Sequence, residues 1–278
     1  RIYRIQLKGT KTKKPEDLGK KTRAQLSELA VHSKNPWERR TALRLVAEND
    51  QRVELQGVPE ELFLNGLMMM ASFPKGVEDA NLKFWTDTAI PVLSKGRPEN
   101  RAFVYRTLSQ YAATQPQLVQ YLAKEAEIEP SAIARRELAS TAIRFADKHD
   151  VTPLLRALMS HKEDAKDPVI SQLVWLAYEK SLTKQPAKPA PAPPAPQQPV
   201  NADASPIAVE LEWLAEQAPN NEFVREQIVP KVMRRLVAMD TPESLKLCMG
   251  FVAKVKDVAS REKALEGLTV ALQGRLIG

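Results

Sequence analysis

Apolar residues recur at helical spacing along most of the chain. Leu138, Ala142, Phe145 and Ala146 stand at i, i+4, i+7 and i+8, and Ile170, Leu173, Val174 and Ala177 at i, i+3, i+4 and i+7. The same periodicity runs through Leu26, Leu29 and Ala30, through Ile207, Leu211, Leu214, Ala215 and Ala218, and through Leu245, Cys248, Met249, Val252 and Val255. Each set lays one apolar stripe on a short amphipathic helix. Start signals agree with the stripes. Asn35-Pro36-Trp37-Glu38 and Asp167-Pro168-Val169-Ile170 each combine a capping side chain, a Pro at the first helical position and an apolar run, and Thr22 with Gln25 has the spacing of a capping box. The pattern predicts helices near 22–32, 36–48, 59–72, 79–94, 100–113, 116–127, 131–147, 151–160 and 168–182. Four more follow near 206–218, 222–239, 242–256 and 260–275. On the second of these helices Trp37, Ala42, Leu45 and Val46 are expected to face inward, and Leu62–Met70 is apolar nearly all round, as in a buried helix.

Short amphipathic helices in succession pair and stack, because one pair cannot bury its apolar face alone. The fold class expected is all-α, a HEAT/armadillo-type α-α superhelix or solenoid. Ala134–Ser160 reads as one repeat, with a turn at Lys148-His149-Asp150, and Asp150 to Pro153 resembles the inter-helix step of HEAT repeats. Two stretches stand apart. Arg1-Ile2-Tyr3-Arg4-Ile5-Gln6-Leu7 alternates like a β-strand, with no strand nearby to pair with, and residues 183–206 are Pro/Ala low complexity, an extended linker. The organisation expected is therefore a strand and basic connector over 1–15 left from an upstream domain and a helical-repeat solenoid over 16–182. The linker over 183–206 and C-terminal repeats over 207–278 that dock back on the solenoid complete it. The chain opens at Arg1 without a Met, which reads as a piece of something longer.

Charge changes this picture less than its total suggests. The net charge is +7, but residues 1–45 alone carry +9 and the remainder −2. The basicity belongs to one end and not to a groove along the array, which argues against nucleic acid as a partner of the array as a whole. No apolar run approaches the ~18 residues of a membrane span. The single cysteine, Cys248, sits on an apolar helical face and reads as a buried structural thiol; alone it makes no internal disulfide, zinc cluster or CxxCH haem site.

Candidate chemistry is sparse. His32, His149 and His161 share no metal-ligand spacing, and His32 and His161 are expected to close helices, where a cation suits the dipole. No phosphate-binding Gly-rich loop or nucleophile elbow occurs. Glu60-Glu61 and Glu125, Glu127 and Glu129 read as solvated faces, the tryptophans Trp37, Trp85, Trp175 and Trp213 as packing residues, and Met68-Met69-Met70 as core. No catalytic, cofactor-binding or metal-ligating residue is assigned.

The order of several segments resembles the HEAT-repeat middle region of large bacterial multidomain proteins, the membrane-bound dehydrogenase or PVC-type haem-binding (CxxCH) family. The similar segments are Arg1-Ile-Tyr-Arg-Ile with the following Lys-Gly-Thr, Asn35-Pro-Trp-Glu-Arg-Arg-Thr-Ala-Leu-Arg-Leu and Glu61–Leu67. Asp167-Pro-Val-Ile-Ser-Gln-Leu-Val-Trp, Arg225-Glu-Gln-Ile-Val-Pro-Lys-Val-Met-Arg-Arg-Leu and Ala264-Leu-Glu-Gly-Leu continue the series. The Pro/Ala insertion departs from that pattern. The resemblance implies an upstream β-propeller that uses a quinone cofactor, a downstream cytochrome c-like domain with haem c, and a periplasmic or exported location; the residues themselves leave the cytoplasm open. The function expected is a non-catalytic scaffold or spacer that docks the flanking domains, with a further protein on its concave face. Its rivals are a stand-alone protein-interaction solenoid and a HEAT-like nucleic-acid-binding protein or DNA glycosylase.

Overall fold

The computed structural model describes residues 16–48, 96–111, 115–183 and 205–273. The expected strand over 1–7, the basic connector, the helices near 59–72 and 79–94, Trp85 and the interior of the Pro/Ala linker lie outside the described residues. Among the described residues the regular structure is helical, with eleven α-helices. The chain divides into two compact units, Arg1–Lys83 and Phe84–Gly278, a division that falls inside the stretch 16–182 read as one solenoid.

In the first unit, α1 (Arg23–His32) and α2 (Pro36–Glu48) form a helical hairpin. Thr22 and Gln25 complete the expected capping box: the Gln25 N–H donates to Thr22 Oγ1 at 3.4 Å and the Thr22 N–H to Gln25 Oε1 at 3.0 Å. Asn35 Oδ1 accepts the Trp37 N–H at 3.0 Å and so starts α2. Leu18, Leu26, Ala30, Ala42 and Val46 form the core of the pair. Trp37 is a correction to the sequence reading, since it is 48% exposed. It lies five and nine residues before Ala42 and Val46, which at 3.6 residues per turn puts it on the far side of the helix.

The second unit holds α3 (Pro98–Leu108), α4 (Leu118–Ile128), α5 (Ala132–Ala146), α6 (Thr152–Met159) and α7 (Pro168–Thr183). Beyond the linker come α8 (Pro206–Gln217), α9 (Val229–Ala238), α10 (Pro242–Lys254) and α11 (Val258–Leu272). Thr183 is the last residue of α7, and Ser205 caps α8 by accepting the Ala208 N–H at 3.3 Å. The helical chemistry thus reaches into both ends of the stretch 183–206 assigned to the linker. Asp167 caps α7 as expected, accepting from Val169 N at 2.8 Å and Ile170 N at 3.0 Å.

Packing follows alternate helices. In one layer α5 lies against both α3 and α7, and α9 lies against α11; in the other α4 lies against α6, and α8 against α10. The two layers bury Leu138, Ala142 and Phe145 from α5 with Leu154, Leu155 and Leu158 from α6. Segments on either side of the linker meet directly. The Asn221 amide donates to the Met159 carbonyl at 2.8 Å, and Gln227 to the Ala165 carbonyl at 2.9 Å.

The helix expected near 222–239 is two elements. Phe223–Ile228 is a π-helical turn, in which the Val229 N–H reaches back to the Val224 carbonyl, and α9 follows. Pro230 has no N–H to offer the turn before it, and widening that turn accommodates the missing bond. Against this kink sits Gly267 of α11, where a Cβ would lie 2.8 Å from Pro230 Cα and closer still to its carbonyl oxygen. Only a residue without a side chain allows the two backbones to approach this closely.

Helix α10 also corrects the sequence reading. Ser244, Cys248, Phe251 and Val255 face the interior, while Leu245 and Met249 are 42% and 64% exposed. The Thr241–Ser244 capping box turns Ser244 inward at the third helical position, and the buried stripe follows from it at i+4, i+7 and i+11.

Candidate docking surface

Two sets of charged residues distinguish the second unit, and they differ in whether their partners are supplied from within. The first is buried. Arg101, the fourth residue of α3, holds Glu129 with a two-pronged guanidinium fork, Nε at 2.8 Å and Nη2 at 2.6 Å. Arg135, the fourth residue of α5, holds Asp164 in the same way at 2.6 and 2.7 Å. Residual donors and acceptors are used as well. Arg101 Nη1 donates to the Gly96 carbonyl and Arg135 Nη1 to the Glu129 carbonyl, while Glu129 accepts from the Tyr105 hydroxyl and the Ser131 N–H. Further out, Arg106 pairs with Glu137, and Arg136 with Asp167.

Glu129 therefore corrects the expectation of a solvated face: it is 3% exposed. Burial pushes its carboxyl pKa up, but Arg101, the Ser131 N–H and Tyr105 outweigh burial and hold it below the usual carboxylate value. Tyr105 is raised by burial and by the Glu125 and Glu129 charges, so it stays a neutral donor. Every group in this cluster is committed to a neighbour. It locks successive helices in register and has no valence left for a ligand. A signal for it did exist in the sequence: an Arg four residues into a helix is followed by a carboxylate 28 residues on, and the pattern recurs at a separation of 29.

The histidines are placed as structural groups. His32 ends α1 as expected, 3.9 Å from Glu28. His161 does not close α6; it lies in the turn beyond, where Nε2 donates to the Ala126 carbonyl at 2.7 Å and Nδ1 lies 3.2 Å from Glu163. His149 stacks obliquely on Phe145, ring centroids 6.0 Å apart. Cys248 is buried, and burial pushes its thiol up to about 11, which leaves it protonated and inert at neutral pH. Trp213 is covered by the Arg156 guanidinium at 4.7 Å, and the same Arg donates to Glu210 at 2.5 Å, across the linker. Among the described residues no group of three His, Cys, Asp or Glu side chains converges on a metal-sized site, and no helix is long and apolar enough to cross a membrane.

The second charged set is open. Between α7, α9 and α11 lies a trench of about 480 Å³, walled by Trp175, Ala238, Val270 and Ala271. It continues past Gln172 and Lys231 into a second recess of about 620 Å³ beside the π-helical turn. Lys231, Arg234 and Arg235, one helical turn apart on α9, line the first part. Glu179 is the acidic residue there, 3.4 Å from Arg235 Nε. That pair lies within ionic distance but outside hydrogen-bond geometry, and Arg235 Nε is left buried without an acceptor. Burial, and then the Arg234 charge, lower the Lys231 pKa. Sequence reading missed this trench because Lys231-Val-Met-Arg-Arg235 looks like any basic helix surface until α7 and α11 are set on either side of it. No family model, curated protein or solved structure matches the chain.

Proposed function

We propose that the chain is a HEAT-type α-solenoid that serves as a non-catalytic scaffold and spacer, fixing the distance and orientation of domains or proteins docked on it. The observation that carries this reading is the alternate-helix packing of the second unit, in which α3, α5 and α7 stack in one layer and α4 and α6 in the other. That arrangement makes each helix pair depend on the next, and it builds extended surface in preference to a closed pocket. The buried Arg–carboxylate forks support a rigid role, since Arg101 ties the start of α3 to the end of α4 and Arg135 ties the start of α5 to the turn after α6. In the fuller form of the proposal, drawn from the family resemblance, the parent is an exported redox protein with a quinone-dependent propeller upstream and a cytochrome c-like domain downstream.

The test is to sequence the parent gene through both ends of this chain, and then to insert a duplicate of α5–α6 into the whole protein. The proposal expects a propeller before Arg1, a CxxCH after Gly278, and slower electron transfer between the flanking domains on insertion. Absent flanking domains, or an unchanged transfer rate, would overturn the spacer role. A second reading, a stand-alone protein-interaction solenoid, is favoured by the open basic trench.

A further inference from the structure

We infer that the trench between α7, α9 and α11 is a docking site for an acidic, partly apolar peptide segment of a protein partner. The inference deepens the docking part of the proposed function and rests on it, but it does not depend on the spacer role or on any flanking domain.

Three observations converge on it. First, Lys231 and Arg234 face an open recess with no carboxylate on them, while Arg235 has only the loose Glu179 contact and a buried Nε without an acceptor. The buried Arg101 and Arg135 are by contrast held by two-pronged carboxylates, and Arg156, whose Nε also lacks an acceptor, still has Glu210 at 2.5 Å. Lys231 and Arg234 without a carboxylate, beside an Arg235 that is only loosely paired, leave positive charge that an incoming carboxylate would neutralise. Second, the wall beside them is apolar, with Trp175 and Val270, so a ligand of alternating carboxylate and aliphatic side chains meets both surfaces. Third, the trench does not stay basic. Past Lys231 it runs to Lys166 with Glu222 and Glu226 opposite, and Glu226 is already shared by Lys263 and Arg225. A polyanion such as nucleic acid gains no net attraction over that half and is opposed by Glu222 and Glu179. A peptide with acidic residues at one end and neutral ones beyond is accommodated by both halves, and Gln172, which lines both, offers it a side-chain amide.

The experiment uses the whole 278-residue chain and a short fluorescein-labelled peptide that alternates Glu and Leu in its first half and Ser and Leu in its second, read by fluorescence anisotropy. A Lys–Leu peptide, inorganic phosphate and a single-stranded oligonucleotide serve as competitors. The expected result is saturable binding of the acidic peptide that weakens with salt and falls about tenfold or more in Lys231→Glu/Arg234→Glu, in keeping with loss of charge-assisted pairs. Lys166→Glu, in the mixed half, should change affinity by no more than about twofold. Both variants alter side chains at the trench surface, and an unchanged circular dichroism melt shows that they remain folded. No saturable binding, equal binding by the double variant, or full displacement by phosphate or by the oligonucleotide would overturn the inference. Peptide binding by a chain whose gene lacks flanking domains would leave this inference standing and sink only the spacer role.

Discussion

The stretch Gly96–Thr183 and the stretch Ser205–Gln273 belong to one compact unit, yet they are held together by different physics. The first adds buried charge to its apolar packing. Arg101–Glu129 and Arg135–Asp164 are buried, two-pronged and surrounded by further donors and acceptors. The second joins its principal helices, α9 and α11, through apolar side chains and a direct backbone approach at Pro230 and Gly267. Its ion pairs are part-exposed, as at Lys254–Glu212 and Lys263–Glu226, and one cluster, Lys231, Arg234 and Arg235, is only partly answered. The difference separates charge that builds architecture from charge that is available to a partner. A desolvated guanidinium with every prong occupied is a fastener, and one left in a trench with an empty prong is an invitation to bind.

The sharpest way to break this comparison is to cut one of the fasteners. Arg135→Ala leaves Asp164 buried without its counter-charge, and the expected loss is about 3–5 kcal/mol in urea unfolding. The paired change Arg135→Met/Asp164→Leu should recover most of that loss, because it removes the stranded charge as well. An unfolding midpoint equal to wild type in Arg135→Ala would show that the forks do not carry the first stretch.

The corresponding change in the second stretch is Gly267→Ala. Alanine is the better helix former by about 0.5–1 kcal/mol, so a propensity argument alone predicts a gain. The Cβ would instead meet the Pro230 backbone, which has no flexible end to move aside. A net loss of about 1–3 kcal/mol is expected from overpacking, measured in the same denaturant series. A gain would mean that the α9–α11 contact is looser than it stands here.

Acid should distinguish the two stretches more gently. The Glu129 carboxyl is held below its ordinary value in the folded chain, after burial and its hydrogen-bonded partners are set against one another. Its contribution to stability is therefore fully present above the unfolded carboxylate pKa and is lost as pH falls through the depressed folded value. Stability should start to decline from about pH 5 downward, and Glu129→Gln should be less stable at neutral pH but show a flatter acid dependence. Parallel pH profiles for the two proteins would remove Glu129 from the acid response.

The smallest effect belongs to the exposed pairs. Lys254 and Glu212 approach to 3.0 Å with both side chains at least half exposed. Lys254→Ala is expected to shift stability by no more than about 0.5 kcal/mol, well below either interior change.

Much of this fold was legible along the chain, and the reason is local. Caps such as Thr22, Asn35 and Asp167, prolines at first helical positions, and apolar stripes such as Leu138, Ala142 and Phe145 act within a few residues of themselves, so their spacing carries the information. Where a feature depended on a distant partner, local reading went astray. Glu129 looked like one of three solvent-facing carboxylates because Arg101 is 28 residues away. Trp37 looked like core on composition, whereas its angle around α2 puts it outside. Leu245 and Met249 share the apolar period of α10, but the helix buries a narrower stripe than it offers.

Helix positions and their ends thus follow from short-range chemistry, because capping, propensity and amphipathic period are satisfied within one or two turns. Which helices touch, which carboxylates are buried, why Gly267 must have no side chain and where three cations come to share one trench were decided only by tertiary packing. These are properties of pairs brought together from far apart in the chain, and a desolvated contact exists for neither residue until both are in place.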